Sequence, residues 1–331
     1  LLFHLIPDSS PGLRCLDQQS IGPIVRISPR ELHIKDPYYY EEIHAQGFRK
    51  RAKNHRYAVA FGAPYSLVGT INHDHHRLRR SFLANYFSKR SVMALAPIIN
   101  EKVDKLIARF ENAYRQDTVL NLFMDFAALT TDVITHYCYG WSYGYLDDTK
   151  SASSNDLVDA VNGLMCMFHI NRFFPILITV FRATPPTLVR WLQPSMADLF
   201  NFKAKLRQQA DETLQQKTGV DFEEQGSIFD ALVSPLVPSE EKTLDRLEDE
   251  SALLLGAGTE TTARAIALSM FHIINNKDIA MKLREELRTV LETPFSKASW
   301  TQLEQLPYLV SFKLTVGPLV EESPLLILPA S

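Results

Sequence analysis

Cysteine is the scarcest chemically active residue in this chain. There are three, Cys15, Cys138 and Cys166, an odd number with no C-x-x-C spacing. That count excludes a disulfide framework and a zinc module, and it suits a reducing compartment. Long apolar runs are also missing. A membrane-spanning helix needs about 18 consecutive apolar residues, and the longest candidate, Phe173 to Phe181, is half that. A basic excess is lacking as well: 35 Lys and Arg face 38 Asp and Glu, for a net charge of -3. Nothing in that balance recruits nucleic acid. Repeats and low-complexity segments are absent. The chain opens Leu1-Leu2-Phe3-His4-Leu5-Ile6-Pro7 without a methionine or a basic leader, so it is neither a clear signal peptide nor an intact start.

What is present is a large apolar inventory. With 331 residues and 46% hydrophobic content, the chain can bury the core of one large domain or two ordinary ones. Residues up to Ser20 carry Pro7, Pro11 and Gly12 and read as irregular. Ile24 to Pro29 alternates apolar and polar residues, as a strand does, with Glu31 to Ile34 as its hairpin partner. Asp36-Pro37 opens a short helix to about Ala45. Beyond Ser91 the pattern is helical almost throughout: Val92 to Tyr114, Leu122 to Tyr139, Ser153 to Phe168, Ser195 to Gln216, Ile228 to Leu236, and a charged helix capped by Asn276. The fold class is mainly α with a small N-terminal β-sheet.

The stretch Leu253 to Ile274 organises the rest. It is apolar at both ends and carries Ala257-Gly258-Thr259-Glu260-Thr261-Thr262 between them. On a helix, Leu254, Ala257, Gly258, Thr261, Ala265 and Leu268 share one face. Glycine and β-branched threonine are poor helix formers, so another requirement places them here. Either a neighbouring helix crosses in a small-residue notch, or something else must approach the backbone closely. Thr261 can bond back to the Ala257 carbonyl and bend the helix, and Glu260 can pair with Arg264 one turn on. The stretch as a whole is expected to be mostly buried, with its polar patch facing a cavity.

A second cluster is Asn72-His73-Asp74-His75-His76-Arg77-Leu78-Arg79-Arg80. A solvated basic face is the default reading. A metal site built on these histidines, and with it a metal hydrolase, is a weaker one because no further ligand recurs at a recognised spacing. A cradle for an anionic ligand is the third, with Arg80 one turn beyond His76 and suited to a carboxylate.

Taken together these stretches resemble the cytochrome P-450 family, the haem-thiolate monooxygenases, and particularly its fungal members. Gly22 to Ile34 is similar to that fold's first sheet. His73-x-x-His76-Arg77-x-x-Arg80 is similar to its haem-propionate helix, Ala257 to Thr262 to its oxygen-activating helix, and Leu306-Pro307-Tyr308-Leu309 to the approach to the next helix. The resemblance spans about residues 21–310 and implies haem iron, NADPH electrons delivered through a reductase, and insertion of one oxygen atom into an apolar small molecule. It implies that Thr261 and Glu260 are catalytic, Glu260 as a proton relay. It also implies that His76, Arg80, Ala257 and Gly258 contact the cofactor, and that no side chain here ligates metal. Intact relatives would be anchored in the endoplasmic-reticulum membrane, facing the cytosol.

Two family features do not occur. A Glu-x-x-Arg pair is absent after Leu309, and no cysteine follows the organising helix to supply the iron thiolate. The sequence therefore predicts an irregular segment at 1–20, a partial P-450-like domain at 21–310 and an unrelated tail at 311–331. That chain would be cut off before its haem-binding third and inactive as written. The alternative function is a non-catalytic remnant or helical interaction protein. The substrate walls are expected near Phe61 to Val68 and Phe173 to Trp191.

Overall fold

The computed structural model describes residues 22–29, 31–43, 50–147, 197–216, 227–293 and 296–313, with scattered positions between 168 and 191. The segments 1–20, 153–167, 217–226 and 314–331, and with them Cys15 and Cys166, lie outside the described residues. Those described fall into two compact units, one up to Ala52 and one from Lys53 onward.

The first unit holds the predicted hairpin. Strand β1 (Ile24–Ser28) pairs antiparallel with β2 (Glu31–Ile34), placing Ile24 opposite Ile34 and Arg26 opposite Leu32. The register shifts between Arg26 and Ser28, a bulge that absorbs the tight connection. Asp36 then accepts from the Tyr38 amide at 2.9 Å. Pro37 follows as the first residue of a 3-10 turn, Pro37–Tyr39, which leads into α1 (Tyr40–Ile43).

The second unit is helical among its described residues. In order come α2 (His55–Ala60), α3 (His73–Ala84), α4 (Lys89–Ala94), α5 (Ala96–Gln116), α6 (Leu122–Tyr139) and α7 (Ile176–Ala183). They are followed by α8 (Ala197–Gln216), α9 (Ile228–Val233), α10 (Leu244–Asn275), α11 (Lys277–Leu287) and α12 (Trp300–Leu303). Residues 307–313 are helical too. Local chemistry sets many of the starts. Asn54, Asn72, Ser88, Asn121, Thr243, Asn276 and Ser299 each accept a backbone N–H of the first turn, satisfying donors the helix cannot. The apolar rhythm from Val92 to Tyr114 gives two helices rather than one. Pro97 has no N–H for the Met93 carbonyl and its ring crowds it, so α4 stops at Ala94 and α5 restarts at Ala96.

The core lies where α6 crosses α10, with α5 and α8 on their flanks and α9 closing one end. Phe126, Ala127 and Cys138 of α6 meet Leu247, Leu255 and Ala263 of α10, with Leu206 of α8 and Phe229 and Leu232 of α9. Each buried leucine or phenylalanine contributes about 1.5–3 kcal/mol. The organising helix begins at Leu244, not Leu253, with Thr243 as its cap, and runs 32 residues. Its burial differs from expectation. Within Leu253–Ile274 only Leu255, Thr259 and Ala263 are fully buried, while Ala257, Thr261, Thr262, Phe271 and Ile274 are exposed. The packed neighbours lie along one stripe. Among the described residues no helix is long and apolar enough to cross a membrane.

Candidate functional site

The polar patch of α10 divides between two faces. Gly258 points at α6: a Cβ there would sit 2.8 Å from Ile134 Cγ1. The glycine is thus the notch for a crossing helix, which corrects the expectation that the whole patch faces a cavity. Thr259, wholly buried, is tied to the same neighbour, because Thr130 Oγ1 donates to its carbonyl at 2.9 Å. Ala257 and Thr261, by contrast, are uncovered. The Thr261 hydroxyl donates to the Ala257 carbonyl at 2.6 Å, the back-bond its position suggested. Glu260 and Arg264 form the expected pair, with Glu260 Oε1 at 2.7 Å from Arg264 Nε and 2.5 Å from Nη2. The Arg264 guanidinium also lies over Phe123, 5.5 Å from its ring centre.

Helix α3 likewise presents two faces. His73 and His76 are half-buried and Arg80 is exposed. His76 is held below its ordinary value of 6.5, first by burial and then by the charges of Lys53, Arg80 and His73. Those groups therefore converge on one edge. His75 and Arg79 turn the other way. His75 contacts Glu241, and Arg79 Nε donates to the same carboxylate at 2.8 Å. Arg246 Nε approaches it at 2.9 Å, and Arg246 Nη1 donates to the Glu241 carbonyl at 3.3 Å. Burial pushes the Glu241 carboxyl up, but the His75 and Arg79 hydrogen bonds and the Arg79 and Arg246 charges together outweigh it and leave it lowered.

Sequence reasoning missed this buried cluster. A signal for it exists: Arg79 stands three and four residues before Phe82 and Leu83, on the inward face of α3. Among the described residues no group of three or more His, Cys, Asp or Glu is placed to hold a metal ion. Cys138 is wholly buried in α6, and burial pushes its thiol up to about 12, so it stays protonated.

A mainly helical unit organised on one long helix with a small-residue patch, beside a basic helix edge, defines the class. The chain belongs to the cytochrome P450 family, whose model, "Cytochrome P450", matches residues 17–312. It is 40% identical over 306 residues to cytochrome P450 monooxygenase TRI4 of Fusarium sporotrichioides, covering 90% of this chain and 58% of that protein. It is also 40% identical over 291 residues to conidiogenone synthase PchP450 of Penicillium rubens, covering 88% and 57%. The crystal structure of a cytochrome P450, CYP102L1, superposes with a TM-score of 0.67 at 17% identity, covering 91% of this chain and 67% of that one. The chain thus spans somewhat over half the length of these curated relatives. Family membership implies haem, and a reductase partner is typical of it.

Proposed function

We propose that this chain forms the distal side of a haem monooxygenase that inserts one oxygen atom into an apolar small molecule, using NADPH electrons supplied through a reductase. The observation that carries the reading is the uncovered pair Ala257 and Thr261 on α10, set beside an acid, Glu260. The residues present fit haem on that side. A methyl and a hydroxyl leave room for a flat group against the helix, and His76 and Arg80, one turn apart on α3, are suited to carboxylates. Haem, when bound, would supply the activation of dioxygen. Thr261 Oγ1 holds a proton that it now gives to the Ala257 carbonyl, and a rotation about χ1 would present that proton to the open side. Glu260 moves protons at Oε1 only when Arg264 lets go, so this ion pair gates the relay. Cys138 does not fit as a thiolate donor. One observation favours the non-catalytic reading instead: Gly258 already serves helix packing.

The test is a haemin titration of the 331-residue chain. Arg80→Ala and His76→Ala should each weaken haemin binding several-fold while leaving the helical circular dichroism intact. Equal affinity for all three proteins would overturn the reading. After reduction and exposure to carbon monoxide, the complex should lack the strongly red-shifted Soret band of thiolate ligation.

A further inference from the structure

The loop between α2 and α3 is held by charge from three elements. Its backbone N–H at Tyr65 donates to Asp249 at 3.0 Å, and that at Leu67 donates to Glu250 at 2.9 Å. From the other side, Lys53 Nζ donates to the Leu67 and Val68 carbonyls at 2.8 and 3.0 Å. Arg79 Nη1 donates to the Tyr65 carbonyl at 2.9 Å and to Thr70 Oγ1 at 2.7 Å. Asp249 and Glu250 are 3% and 1% exposed. A carboxylate is costly to bury unless its oxygens accept hydrogen bonds, so these two acids hold to the loop amides strongly. Each reaches a residue more than 180 positions away.

We propose that Asp249 and Glu250 are positioning residues that fix the distance between this loop and the open face of α10, and so set which apolar small molecule fits between them. The inference rests on the monooxygenase reading above. Asp249 and Glu250 stand about two turns before Ala257 and about three before Thr261 on one continuous helix, so the loop and the open face share a rigid reference. The loop transmits the same constraint in the other direction. Phe61 at its start lies against Phe168, ring centres 4.7 Å apart, and Asn171 donates to the Ala60 carbonyl at 3.4 Å. Phe168 and Asn171 are thus joined, through Ala60, Phe61 and the loop, to the first turns of α10.

Hydrogen exchange on the 331-residue chain, with pyrene as an apolar probe, tests this. Asp249→Ala and Glu250→Ala should each speed exchange in residues 62–70 at least tenfold, leave 255–263 unchanged, and weaken pyrene binding several-fold. Glu250→Gln keeps an acceptor for the Leu67 amide and should restore both readouts, which rescue by a merely space-filling role would not require. If Glu250→Ala fails to fold, Asp249→Ala and Glu250→Gln carry the comparison. Unchanged exchange in 62–70 would overturn the clamp. Faster exchange with undiminished pyrene binding would overturn the positioning role. A wild-type chain that binds no pyrene but shows the exchange pattern would overturn the small-molecule reading, and the specificity role with it, while leaving the clamp contacts standing.

Discussion

At the residue scale, the balance between helix propensity and packing is sharpest at Gly258. Replacing a helical glycine by alanine ordinarily gains about 1 kcal/mol. Here the new Cβ would stand 2.8 Å from Ile134 Cγ1, and a β-branched side chain on a helix has little freedom to yield. Gly258→Ala should therefore destabilise, by about 1–3 kcal/mol in urea unfolding, as overpacking does. Ile134→Ala should return most of that loss, a coupling a double-mutant cycle reads directly. His76 supplies a second residue-scale test. Its lowered value means the folded state holds fewer protons than the unfolded one just below 6.5. Its contribution to stability is present above that value and is lost as pH falls through the folded one. Arg80→Gln removes one of the three charges responsible, so the His76 imidazole should titrate higher by NMR. An unmoved titration would separate Arg80 from His76 and undo the basic edge.

At the element scale, the join between α3 and the start of α10 depends on one carboxylate. Glu241 stands between Arg79 and Arg246, which are 8% and 1% exposed. Glu241→Ala would leave both cations buried without their shared partner, and should cost about 3–5 kcal/mol of unfolding free energy. Because its carboxyl is lowered from 4.5, the contribution is present above that pH and is lost as pH falls through the folded value. The gap between wild type and variant should then narrow below pH 4.5, and a gap that stays constant would argue against the ion pair. These contacts also explain what was legible in the sequence. Helix α6 and the apolar part of α10 follow from periodicity, and the cap Asn276 from local chemistry. The first turns of α10 do not: Asp245, Arg246, Glu248, Asp249 and Glu250 look like a solvated run. Arg246, Asp249 and Glu250 are nevertheless buried there, against partners that include the α2–α3 loop, far away in sequence. For the same reason the sequence points to Arg80, exposed on the basic edge, and not to Arg79. The break before α5 was readable from Pro97 and was hidden only by the unbroken apolar rhythm around it.

At the scale of the whole molecule, α10 is buried on one stripe and open along another, and the open side continues past the patch. An apolar groove runs between the start of α6 and the far end of α10, lined by Val119, Leu120, Leu122, Phe123, Ala267 and Phe271. Val119 is 99% exposed, Phe271 57% and, one turn on, Ile274 63%. Apart from Asn121 the residues lining the groove are apolar, and exposed apolar area of this kind drives association. The 331-residue chain should accordingly bind the dye anilinonaphthalene sulfonate while folded and sediment partly as oligomers at micromolar concentration. Phe271→Glu places a charge in the groove at a position that gives up little buried area. It should lower dye fluorescence several-fold, shift sedimentation toward monomer, and change unfolding free energy by no more than about 0.5 kcal/mol. Val119→Glu, at the opposite wall, should act in the same direction and add to it. Undiminished dye binding in the double variant would mean that the association surface lies elsewhere, and that the open stripe of α10 is not what holds the copies together.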